Sequence, residues 1–163
     1  MNDAAAGGRA IRRLVVHHTA GPKSSTVEQI RRMHVKERKF RDIGYHAVIP
    51  GNGTIQSGRP ERMMGAHAQG ANADSLGVAL SGNFENEHPN AAQIDSLVLL
   101  LATWCRNYDV SPDHIHGHRD VGTTATACPG RHLYQQLPAI RARVRRHLAE
   151  EARLGICLAR PIA

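Results

Sequence analysis

Apolar positions along this chain follow two periods, and the switches between them divide it into elements. IRRLVVHH, residues 11–18, is a short apolar run ending in two histidines, and it reads as a strand. TAGPKSS, residues 19–25, is a loop of turn formers. Ser25 or Thr26 can then cap a helix, with Glu28 in its first turn. Ile30, Met33, Val35 and Phe40 mark the apolar side of that helix, which spans about residues 26 to 38. GYHAVIPGNGTIQSGR, residues 44–59, places two short strands around the turn PGNG. RMMGAHAQGANADS, residues 62–75, is rich in Gly, Ala and Asn and reads as an irregular loop. LGVALSGNF, residues 76–84, is apolar enough for a buried strand.

The strongest period is helical. Ile94, Leu97, Val98, Leu101, Trp104 and Cys105 share one face of a helix over about residues 91 to 108, and Asn90 can cap it. DHIHGH, residues 113–118, reads as a short strand, and RDVGTTATACPG after it as a loop. A short turn at about 131–136 precedes a longer helix from Pro138 to about 153, because proline suits a helix start. Ile140, Val144 and Leu148 mark its apolar side, and Gly155 stops it. Strands and helices interleave without a repeat. The expectation is one α/β domain over residues 11–153, with a central mixed sheet flanked by about three helices. Residues 1–10 read as a loose N-terminus and 154–163 as a tail.

Composition narrows the function classes. The chain has 163 residues, 41% of them hydrophobic but only 4% aromatic, so the core rests on Leu, Val, Ile and Ala. A net charge of +7 favours anionic partners: nucleic acid, a membrane surface or a wall polymer. No nucleic-acid-binding motif accompanies the charge, so nucleic acid is not the expected partner. Arg141, Arg143, Arg145 and Arg146 crowd the last helix beside the tail LGICLARPIA. They suit either a solvated face or a weak contact with anionic membrane or lipopolysaccharide. Three cysteines, Cys105, Cys128 and Cys157, do not make a disulfide framework, and Cys105 reads as a buried thiol. The N-terminus has no apolar signal segment, and the longest apolar run, LVLLLA, is too short to span a bilayer. The chain is therefore expected to be made in the cytoplasm as a soluble product.

Histidine changes the picture most, with 11 residues. Cys128 sits between Ala127 and Pro129 in a loop without apolar period, an unusual place for a packing cysteine. His114, His116 and His118 share one face if their segment is extended. A strand end feeding a loop that returns a cysteine can bring one of them and Cys128 to a common ion. VVHH can supply a third ligand, and strand alternation lets only one of His17 and His18 do so. Spacing alone leaves a zinc site and a polar strand end equally open.

VVHHTAG, FRDIGYHAVIPGNGTIQSGR, GAHAQGAN, SLGVALSGNF and GHRDVGTTATACPG occur in one order. In that order the chain resembles the zinc-dependent N-acetylmuramoyl-L-alanine amidases. This amidase type is shared by small phage lysozyme-like endolysins and peptidoglycan recognition proteins. The resemblance covers roughly residues 11 to 150. It implies the amidase/peptidoglycan-recognition fold and a Zn2+ ion held by His17, His118 and Cys128. It implies catalytic roles for Tyr45 and Thr126, and places His34, His67 and Asn72 at the substrate groove. Some wall-recycling relatives use Asp as third ligand and carry Glu in the strand matching LGVALSG; this chain has Cys128 and Ala79 there. The loop from His118 to Cys128 is longer than the family's usual spacing, which leaves open which threonine faces the metal.

The resemblance implies a peptidoglycan hydrolase, most like an endolysin. It would cleave the amide between N-acetylmuramic acid and L-alanine of the stem peptide, as a monomer, at the wall in the host periplasm. Two alternatives are a peptidoglycan-binding module without activity and a bacterial wall amidase.

Overall fold

The computed structural model describes residues 8–155. Residues 1–7 of the loose N-terminus, Cys157 and nearly all of the tail lie outside the described residues.

Five strands form one sheet in the order β3-β2-β4-β1-β5. They are β1 (Arg13–His18), β2 (Ala47–Ile49), β3 (Gln56–Ser57), β4 (Ser75–Leu80) and β5 (Ile115–Gly117). β1 pairs in parallel with β4 and β5, and β2 in parallel with β4; only β3 runs antiparallel, as the second strand of the hairpin. The sheet is mixed, as the interleaved pattern implied.

Helix α1 (Val27–Lys36) begins at Thr26, whose hydroxyl accepts from Gln29 N–H while the Gln29 side chain returns to Thr26 N–H. α2 (Ala91–Tyr108) repeats that capping box with Asn90 and Gln93. A four-residue turn, α3 (Arg131–Tyr134), leads into α4 (Leu137–Arg153), where Pro138 occupies the first turn. Gly155 follows α4 at φ +63°, a left-handed conformation that suits glycine. Among the described residues, no helix is long and apolar enough to cross a membrane.

Strand alternation divides the sheet into two faces. Leu14 and Val16 of β1 join Leu76, Val78 and Leu80 of β4 in the main core. α2 and α4 cover that face through Leu97, Leu101, Trp104, Ile140 and Val144. Each such side chain removed from water contributes about 1.5–3 kcal/mol. Cys105 is 3% exposed within this cluster, the buried thiol the helical pattern implied. The opposite face carries Val15 with Ala68 and Ala71, and Val48 with Ile30 of α1. His17 belongs to this second face.

The structure corrects one element. DHIHGH is not a strand over its whole length. Pro112–His114 is a 3-10 turn, β5 is only Ile115–Gly117, and His118–Asp120 is a second 3-10 turn. Ser111 caps the first turn, and Arg119 N–H bonds Cys128 O across the loop base, so the chain turns at both ends instead of extending.

The arginine face of α4 is largely occupied within the fold. Arg143 pairs with Asp95, Arg145 with Asp113, and Arg141 Nε donates to Ile115 O.

Candidate metal centre

Two strand ends build the centre. β1 delivers His17 as its fifth residue, and β5 ends at Gly117, immediately before His118. Both strands are parallel neighbours, so their carboxyl ends open at the same edge of the sheet. Ligands commonly bind in this crevice in open α/β sheets. The loop after His118 returns Cys128 to the same edge. One ligand atom from each of His17, His118 and Cys128 lies within 4.8 Å of the others. Cys128 Sγ is 3.5 Å from His17 Nδ1. This is the one group of three or more metal-binding side chains among the described residues.

The donor set suits zinc. Two imidazoles and a thiol match the three-ligand zinc sites of enzymes, which leave a fourth position for water. Burial pushes the Cys128 thiol up to about 12 and His17 well below its ordinary value. The pocket therefore keeps two neutral imidazoles, and its thiol ionises only beside a cation.

His18, the other histidine of VVHH, takes the opposite face. Its Nδ1 accepts from Phe84 N–H at 3.1 Å, and its ring faces Phe84 at 6.2 Å. Gly130 closes this corner at φ +85°; a Cβ there would come 2.5 Å from the Phe84 carbonyl carbon. His114 and His116 face each other at 6.2 Å, outside the centre.

Tyr45 packs beside the centre, its ring tilted against His17 at 5.1 Å and against His34 at 5.4 Å. Burial, then the neighbouring Cys128, pushes its phenol well above the ordinary value, so the hydroxyl stays a donor at neutral pH. Thr126 Oγ1 accepts from Cys128 N–H at 3.1 Å. The Thr126 proton is therefore free to donate elsewhere. The middle of the loop is held elsewhere. Thr123 N–H donates to Gln69 O at 2.9 Å, and Gly122 packs over that same carbonyl. Residues 122 and 123 thus lean on the 66–72 loop, while Thr126 is tied to Cys128.

The three residues expected at the groove are held by the fold. His34 is 1% exposed, and its Nδ1 accepts from Gly44 N–H at 2.9 Å. Asn72 Oδ1 accepts from both His67 N–H and Ala68 N–H at 2.9 Å. His67 is 8% exposed, and its Nδ1 lies 2.9 Å from His17 Nε2.

Sequence reasoning missed His46. It is 3% exposed, its Nδ1 accepts from Gly77 N–H, and its Nε2 donates to Met63 O. Its place beside Tyr45 in GYH was the available signal.

A family model described as N-acetylmuramoyl-L-alanine amidase matches residues 7–131. The chain belongs to this family. A peptidoglycan-recognition protein of Drosophila simulans is 37% identical over 135 residues, 78% of this chain and 72% of that relative. Among solved structures, the endolysin N-acetylmuramoyl-L-alanine amidase LysCS from Clostridium intestinale URNW superposes with a TM-score of 0.73 at 35% identity. That match covers 80% of this chain and 83% of LysCS. The ectodomain complex of peptidoglycan recognition proteins LCa and LCx, solved with tracheal cytotoxin bound, matches with a TM-score of 0.70 at 29% identity. It covers 78% of this chain and 80% of that one. The amidase family thus spans hydrolases and recognition proteins on one fold.

Proposed function

We propose that this member of the amidase family is a zinc-dependent N-acetylmuramoyl-L-alanine amidase, most like an endolysin acting on the cell wall. The observation that carries the reading is the joint presence of His17, His118 and Cys128 within 4.8 Å, with the Tyr45 ring tilted against His17 at 5.1 Å. A binding module needs no such cluster.

His17, His118 and Cys128 would hold the zinc. When bound, zinc supplies Lewis acidity and lowers the pKa of water to about 7. The scissile bond would be the amide joining the lactyl group of N-acetylmuramic acid to L-alanine. The Thr126 hydroxyl, whose oxygen is already occupied by Cys128 N–H, has one proton to direct at the oxygen that becomes negative. Tyr45 keeps its proton in this surrounding and acts as a second donor at the reacting amide. The net charge of +7 favours approach to an anionic wall polymer.

Digestion of purified sacculi, followed by mass spectrometry of the products, tests the reading. Release of stem peptides with a free L-alanine amine, together with peptide-free glycan strands, is expected. Sacculi that bind the protein yet release nothing would establish the recognition-module alternative.

A further inference from the structure

The side of His17 facing away from the centre is as strictly built as the side facing it. Cys128 Sγ approaches Nδ1 at 3.5 Å. The opposite nitrogen, Nε2, lies 2.9 Å from His67 Nδ1. His67 Nε2 in turn lies 3.2 Å from Ser75 Oγ, and Ser75 Oγ lies 2.6 Å from Ala71 O.

The far end of this chain fixes every proton in it. Ala71 O is a carbonyl and only accepts, so Ser75 gives it its one proton. Ser75 Oγ then accepts from His67 Nε2–H. A second proton on His67 would make a buried cation without an anionic partner in these contacts, so Nδ1 stays bare and accepts. His17 Nε2 must therefore carry the proton, and His17 Nδ1 is left with a free lone pair toward Cys128.

The slot that holds His67 is equally specific. A Cβ on Gly77 would sit 2.6 Å from the His67 ring, and one on Gly65 would sit 2.6 Å from it on another side. Asn72 Oδ1 clamps the His67 backbone N–H. β4 thus supplies both Ser75 and the space at Gly77.

We propose that His67 is a positioning residue for the metal centre: through the path Ala71 O–Ser75–His67 it locks His17 in the tautomer and orientation that present Nδ1 to the ion. This inference rests on the zinc reading above. Such outer partners of metal-bound histidines are usually carboxylates, carbonyls or waters. Here a second imidazole takes that place, and a hydroxyl and a carbonyl behind it determine its polarity.

The test measures zinc affinity by competition with a chromophoric chelator, independently of hydrolysis. Asn places an oxygen near the position of His67 Nδ1, whereas Leu removes the acceptor. His67→Leu is expected to weaken zinc binding about 10- to 100-fold, and His67→Asn to stay within about threefold of the parent. Equal affinity of His67→Leu and parent would overturn the proposal. Equal loss in His67→Leu and His67→Asn would overturn it too, because then packing alone matters. Should His67→Leu fail to fold, nitrogen-15 NMR of the unaltered protein decides. His67 protonated at Nε2 and His17 protonated at Nε2 are expected, and the opposite tautomer at either ring refutes the path. Cys128→Ala separates the two readings. If that variant binds zinc like the parent, the metal assignment fails; if it loses zinc while His67→Leu does not, only the role of His67 fails.

Discussion

His17 Nε2 lies 2.9 Å from His67 Nδ1, on the side of the His17 ring opposite Cys128. That contact joins two segments 50 residues apart, the end of β1 and the loop before β4. It makes the centre a property of the sheet: β1 and β4 pair over their full length, so His17 and the Ser75–Gly77 segment are held by the same ladder.

Thr126 and Thr123 should separate cleanly. Thr126 is bonded to the Cys128 amide, while Thr123 is bonded to Gln69 O. Thr126→Val removes the free donor and should lower kcat by about 10²–10³, with zinc content unchanged. Thr123→Val should leave kcat within about twofold, since only a loop contact changes. Steady-state kinetics on a soluble muramyl peptide gives both values. A Thr123→Val effect larger than that of Thr126→Val would place the wrong threonine at the reacting amide.

The two described cysteines should differ as sharply. Cys128→Ser should lose stoichiometric zinc and all measurable hydrolysis, because the thiolate is one of three protein donors. Cys105 lies 3% exposed on α2, its thiol pushed up to about 11 by burial, with no metal ligand beside it. Cys105→Ala should retain zinc and cost about 1 kcal/mol of stability. Metal analysis of the two purified variants checks the contrast, and full activity in Cys128→Ser would sink the mechanism.

Much of this was legible in the residues. The helix α2 was readable because Ile94 through Cys105 recur on one face and Asn90 caps them. His18 could be set apart from His17 because strand alternation permits one of them per face. The resemblance supplied the choice of His17 as the ligand. What stayed hidden depends on contacts distant in sequence. Nothing in HIHGHRD shows that the strand is cut to Ile115–Gly117, since that depends on Leu14–Val16 as partner. Nor does GAHAQGAN show that His67 turns inward. Its direction is set by the missing side chains at Gly65 and Gly77 and by the Ser75 hydroxyl.

Acid should weaken the fold through histidines kept neutral. Burial pushes His34 and His46 each down to about 4, from an ordinary value of 6.5. Between those values the unfolded chain binds more protons than the folded one, so stability falls as pH drops through 6.5 towards 4. Each histidine accounts for a loss of about 2 kcal/mol between pH 7 and pH 5. Urea unfolding of the metal-free protein at those two pH values measures their loss together with that of the other histidines lowered by burial, His17 and His67 among them. Replacing His34 or His46 by Gln isolates each share. An unchanged midpoint would mean that neither ring is held neutral.

Glu61 should matter more than its place in an irregular loop implies. Its Oε1 accepts from Trp104 Nε1 at 2.7 Å and its Oε2 from Tyr108 Oη at 2.5 Å. Burial, then this hydrogen bond, pushes the Tyr108 phenol well above its ordinary value, so the hydroxyl remains a donor to the carboxylate. Arg9 Nη2 also donates to Glu61 O, and Arg9 Nη1 to Asn72 O, which ties the loop that carries His67 on both sides of it. Hydrogen bonds to a charged group contribute about 1.5–3 kcal/mol each, and these two are partly exposed. Glu61→Ala should therefore cost about 2–3 kcal/mol in total. Trp104 is the only tryptophan, so its fluorescence reports the lost bond and the unfolding transition in one experiment. Loss of less than about 0.5 kcal/mol, within the range of ordinary surface substitutions, would show that α2 holds its position without this loop.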